Sequence, residues 1–132
     1  AQIYRSLGLE VNAVAKELTS DTAARLLRGS KLVVDCLDNR AGRLCVQEAC
    51  RQFELPLLHG GVNGDYAEVV WDAGYTVPSG AGEDVCDYPL ARNLVTLTVS
   101  TLAETILTWL DNEQCQSWSL TLRDFAIRPW LA

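Results

Sequence analysis

Hydrophobic and polar positions along the chain alternate in two different rhythms, and the changes of rhythm divide it into elements. Leu9-Glu10-Val11-Asn12-Ala13-Val14 switches between apolar and polar residues and predicts a short strand. Thr19-Ser20-Asp21 then offers a helix start, Ala23, Ala24, Leu26 and Leu27 follow at helical spacing, and Gly29 predicts the stop. The run Lys31-Leu32-Val33-Val34-Asp35 is continuously apolar up to its carboxylate, the pattern of a central parallel strand covered on both faces. The carboxyl end of such a strand is where ligands sit in open α/β sheets.

A second helix is predicted from Asp38-Asn39 to about Phe53, with Leu44, Ala49 and Phe53 among its apolar positions. Pro56 to His59 reads as the next short strand, broken by Gly60-Gly61-Val62-Asn63-Gly64. Tyr66 to Trp71 reads as another, antiparallel because the connection is too short for a crossover helix. From Asp72 to about Pro89 glycine, proline, serine and aspartate dominate, predicting a long loop, functional or mobile. Leu90 to Leu110 spreads Leu94, Leu97, Val99, Leu102, Ile106, Leu107 and Leu110 around much of a helical circumference and predicts a buried helix despite its many threonines and valines. The tail alternates again, Trp118, Leu120 and Leu122 against Ser117, Ser119 and Thr121, turns at Arg123-Asp124 and returns through Phe125 to Ile127. The 132 residues are enough for one core but not for two, so a single domain over 1–132 is expected: a core at 7–71, a crossover loop at 72–89, and a long helix with a terminal hairpin at 90–132.

Composition narrows the function classes. A net charge of -6, with Lys16 and Lys31 the only lysines, is unsuited to following a nucleic-acid backbone. An uncharged apolar stretch of membrane-spanning length is absent from the sequence, and so is a basic leader followed by an apolar run. Cys36, Cys45, Cys50, Cys86 and Cys115 include no CxxC pair, which signals neither a disulfide framework nor a zinc site. These features together lead us to expect a cytoplasmic protein that binds neither nucleic acid nor membrane and holds no zinc. Ala1 in place of an initiator, with no methionine anywhere, suggests a piece of a longer chain.

The segment VVDCLDNRAGRLCVQEACRQFELPLLHGGVNG, Val33 to Gly64, resembles the ThiF/MoeB/HesA adenylation domain. Members share a hydrophobic strand, a D-C-x-D-N turn, a helix carrying an arginine, a Pro-Leu strand and an H-G-x-x-x-G break, in this order and spacing. Weaker similarity covers Leu7 to Leu27 and Cys86 to Leu110. The resemblance implies the carboxyl-terminal half of a Rossmann-like, doubly wound α/β sheet with a mixed edge and a terminal hairpin. It also implies an ATP-dependent adenylyltransferase that activates the terminal carboxylate of a ubiquitin-like sulfur-carrier protein.

In that chemistry Mg²⁺ neutralises the triphosphate and a carboxylate holds the metal. The resemblance places Asp38 at the metal position, with Asn39 and Arg43 as further nucleotide contacts. Asp38 or Asn39 also suits a helix cap, and Arg43 a surface ion pair. Cys86 corresponds to a crossover-loop cysteine that links covalently to the carrier in some members, although Asp84 and Asp87 beside it oppose thiolate formation. Asp35 is expected to support the turn, His59 to be a satisfied structural histidine, Cys36, Cys45 and Cys50 to be small buried residues, and Cys115 to be exposed.

The family's glycine-rich nucleotide motif, its acidic ribose contact and its phosphate-binding basic residues have no counterpart in this sequence. An inactive dimerisation or carrier-binding module is therefore the alternative to an enzyme. A dinucleotide-binding oxidoreductase is disfavoured because no GxGxxG occurs. Half of a doubly wound fold leaves a strand edge and apolar helix faces uncovered, so a homodimer is expected.

Overall fold

A computed structural model describes residues 6, 8, 10–79 and 91–131. The first helix, α1 (Ser20–Leu27), opens on a reciprocal cap in which Thr19 and Thr22 exchange side-chain and backbone hydrogen bonds. It ends before Gly29, whose φ of +82° only glycine adopts without strain. Strand β1 (Val33–Asp35) leads through the D-C-x-D-N turn into α2 (Arg40–Gln52), capped by Asn39. Strands β2 (Leu57–Asn63) and β3 (Tyr66–Trp71) form a hairpin turning at Gly64, where φ is +59°. A single 3-10 turn, Asp72–Gly74, follows. The long helix α3 (Ala91–Asn112) precedes a second hairpin, β4 (Trp118–Thr121) and β5 (Ala126–Pro129).

The strands make one sheet in the order β1-β2-β3-β4-β5. Only β1 and β2 run parallel, with Val33 opposite Leu57 and Asp35 opposite His59; the other pairs are antiparallel. Alternation along the strands sends the two sets of side chains to opposite faces. One face, through Val33 and Leu57, packs on Val46 and Cys50 of α2, with Leu18 and Leu27 alongside. The other, through Leu58, Ala67, Val69, Trp71 and Leu120, packs on Leu94, Leu102 and Ile106 of α3. The architecture is the α/β sheet, with helices on both faces, that the residue pattern implies.

Four expectations change. Residues 10–19 form no strand; most of them are exposed, Val14 among them, and alternation without a neighbouring strand has nothing to pair with. Strand β1 lies at one edge of the described sheet rather than at its centre, and Val34 is 39% exposed because α3 covers β2, β3 and β4 instead. The Gly60-Gly61 segment continues β2 rather than breaking it, and pairs antiparallel with β3. Gly60 is required there because a Cβ would come within 2.7 Å of Leu102 Cδ1. Finally, α3 is buried on one side only: Leu94, Thr98 and Thr105 face the sheet, while Val99, Leu107 and Leu110 are at least 60% exposed.

Candidate functional site

The parallel register of β1 and β2 places Asp35 beside His59 on the α2 face, and both are buried. His59 Nδ1 lies 2.8 Å from Asp35 Oδ2, and Nε2 lies 3.3 Å from Asp72 Oδ1. Tyr75 stacks on the imidazole with ring centroids 3.8 Å apart.

Arg43 reaches into this cluster from the first turns of α2. Its Nε donates to Leu37 O at 2.7 Å, one terminal nitrogen to Asp35 Oδ2 at 3.3 Å and to the Tyr75 hydroxyl at 3.0 Å, and the other to Gly60 O at 3.0 Å. The arginine expected at the surface thus makes a buried ion pair, its side chain 12% exposed. Asp72 is held further by Gln47 Nε2 at 2.6 Å and by Arg51 Nε at 3.1 Å.

Asp35 also accepts the Leu37 N–H at 2.9 Å. Burial raises its pKa, but hydrogen bonds from His59 and Leu37 and the Arg43 and His59 charges outweigh burial, and the carboxyl ends below its ordinary value. The Cys36 thiol next to it moves the other way, raised by partial desolvation and then by the Asp35 charge. Of the cysteines expected to be buried only Cys50 is; Cys45 is half-buried and Cys36 is exposed.

Asp38 stands at the outer rim of this network. It is exposed, at the carboxyl end of β1 and immediately before the α2 cap. Asn39 Oδ1 accepts the Gly42 N–H at 2.8 Å, which leaves its Nδ2 to donate to Asp38 Oδ1 at 3.2 Å. The two roles that sequence offered for the Asp38-Asn39 pair are therefore divided: Asn39 caps, and Asp38 presents its carboxylate to solvent at a positive helix end.

Of the residues singled out from sequence, Asp38, Asn39 and Arg43 converge on one turn, the first two facing out and Arg43 facing in. Cys86 lies outside the described residues. Asp35 supports the turn, and His59 is satisfied on both ring nitrogens. Asp72 and Tyr75 escaped notice because their part in the site depends on how the chain folds back after β3, which no local pattern encodes.

The ThiF family model matches residues 4–79, the span that contains this turn and its buried network. The chain belongs to the ThiF family. A search of the curated proteins finds none that matches significantly. Among solved structures, the selenomethionine form of PaaA is similar to this ThiF-family chain with a TM-score of 0.56 and 11% identity, over 86% of this chain and 46% of PaaA. That likeness supports the fold alone, and the chain spans less than half the length of PaaA. The match to residues 4–79 supports an adenylyltransferase-type family and a Rossmann-like α/β sheet.

Proposed function

We propose that this chain supplies the metal-facing, carboxyl-terminal part of an ATP-dependent adenylyltransferase that activates the terminal carboxylate of a ubiquitin-like sulfur carrier in the cytoplasm. The observation that carries the reading is Asp38: an exposed carboxylate at the end of a parallel strand, fixed by Asn39 beside a helix amino terminus. Mg²⁺ is usually held by one or two carboxylates together with substrate phosphates and waters, rather than by a cage of protein ligands. A single carboxylate suits that division of labour, and no cluster of three His, Cys, Asp or Glu side chains suited to a metal occurs among the described residues.

Asp38 would hold the metal and Asn39 would orient it. When bound, Mg²⁺ would neutralise charge on the triphosphate as the carrier carboxylate approaches. Arg43 favours nucleotide binding indirectly, by fixing the Leu37 carbonyl one residue before Asp38. Cys86 is the proposed acceptor thiol. The glycine-rich phosphate cradle would come from residues outside this sequence or from another chain, and a homodimer is the assembly we favour.

The second reading, a binding module without chemistry, draws on Val99, Leu107 and Leu110 exposed along α3. ATP–pyrophosphate exchange by the native protein separates the two. We expect carrier-dependent exchange that falls at least about a hundredfold, or roughly 2.7 kcal/mol, in Asp38→Ala. Absence of exchange by the native protein would favour the module.

A further inference from the structure

The buried cluster does more than fill space between β1 and α2, because it joins two segments that are remote in sequence. On one side is Leu37, immediately before Asp38, with its N–H bonded to Asp35 and its carbonyl to Arg43. On the other is the segment after β3, held by Asp72 and Tyr75, with Val77 buried beyond them. Arg43 serves both directly, holding Leu37 and Tyr75, while Asp35 holds Leu37 and reaches the second segment through His59. His59 closes the circuit, with one ring nitrogen on Asp35 and the other on Asp72.

We propose that the Asp35–His59–Asp72 bridge, braced by Arg43 and Tyr75, is a positioning device that couples the Asp38 turn to residues 72–77, so that binding at Asp38 and seating of that segment favour one another. Any displacement of the turn must pull on Leu37, and through it on Arg43, which holds Tyr75 directly, and on Asp35, which reaches Asp72 through His59. The reverse path is the same set of bonds, and such couplings are reciprocal as a matter of thermodynamics. The metal-binding side of this coupling rests on the adenylyltransferase reading; the bonds that join the two segments do not.

The sequence contains one histidine, so its ring nitrogens can be assigned without ambiguity in a ¹⁵N-labelled full chain. We expect wild-type ring nitrogen signals that report the separate Asp35 and Asp72 contacts. In Asp72→Ala the Nε2 signal should change and the Leu37 and Asp38 backbone amides should shift with it. Asp72→Asn, which keeps an oxygen toward Nε2, should restore most of the wild-type spectrum. Arg51→Ala removes only an exposed contact to Asp72 and should leave Leu37 unmoved, which a general loss of packing would not do.

Tyr75→Phe removes the hydroxyl that accepts from Arg43 and supplies an independent reading if Asp72→Ala does not fold. Mn²⁺ alone, followed by paramagnetic broadening around Asp38, should bind about fivefold more weakly in Asp72→Ala, the lower end of ordinary coupling. Leu37 amides unmoved in folded Asp72→Ala or in Tyr75→Phe would overturn the bridge. Absence of broadening near Asp38 in the wild type would instead count against the metal reading, leaving the amide shifts to decide the coupling.

Discussion

Asp35 is the residue on which most of the site's electrostatics converge. Its carboxyl is held below the ordinary value when folded, so its contribution to stability is fully present above the unfolded pKa and is lost as pH falls through the folded one. Unfolding by urea should therefore become easier below about pH 4, and this part of the acid sensitivity should vanish in Asp35→Asn. At pH 7 the same substitution leaves His59 and Arg43 facing a neutral amide in a buried setting, at a cost of about 3 kcal/mol. Cys50 tests the opposite sign: burial, and then the charges of Asp72 and Asp35, push its thiol up to about 11. Stability should fall between pH 9 and 11, where the unfolded thiol ionises and the folded one does not, and Cys50→Ala should flatten that decline. In a timed thiol titration, exposed Cys115 should react well before Cys50.

The elements differ in how far sequence reveals them. The cap, turn and hairpin signals at Thr19, Asn39 and Gly64 act within a few residues, and each lies where its residue type demands. Asn39→Ala should cost about 1 kcal/mol by removing the bond to the Gly42 N–H, measurable in thermal melts. Helix α3 was legible by length, and the structure shows where three of its hydroxyls go: Thr98, Ser100 and Thr105 each donate to the carbonyl four residues earlier, which satisfies them within the helix. Which side of α3 is covered was not legible, because apolar residues lie all round it and only the sheet selects among them.

The glycine pair in β2 misled for a related reason. Gly60 serves a helix forty-two residues away, not a turn. Gly60→Ala should destabilise by about 1 kcal/mol, with part recovered in a second variant carrying Leu102→Val. The Asp35–His59 pair could be read from the register of two adjacent apolar runs, but Asp72 and Tyr75 could not, since their contacts require the chain to reverse after Trp71.

At the scale of the molecule, β1 forms one edge of the described sheet with Val34 partly exposed, and α3 carries Val99 and Leu110 outward. No helix among the described residues is long and apolar enough to cross a membrane. Exposed apolar positions grouped on one helix face are the kind of surface that a protein partner covers. Self-association should be visible by sedimentation at micromolar concentration and weaken in Val99→Lys with Leu110→Lys, without loss of helicity. An unchanged sedimentation profile would remove α3 from the interface.

The one parallel pair in the sheet also bears on how the chain reaches its native state. The β2–β3 hairpin closes across Gly64 through contacts local in sequence, whereas β1 joins β2 only after α2 has crossed between them. The Asp35–His59 bond is therefore expected among the later events of folding. Loss of Asp35 should then accelerate unfolding while scarcely slowing refolding, and in a chevron plot the change would fall almost wholly on the unfolding limb.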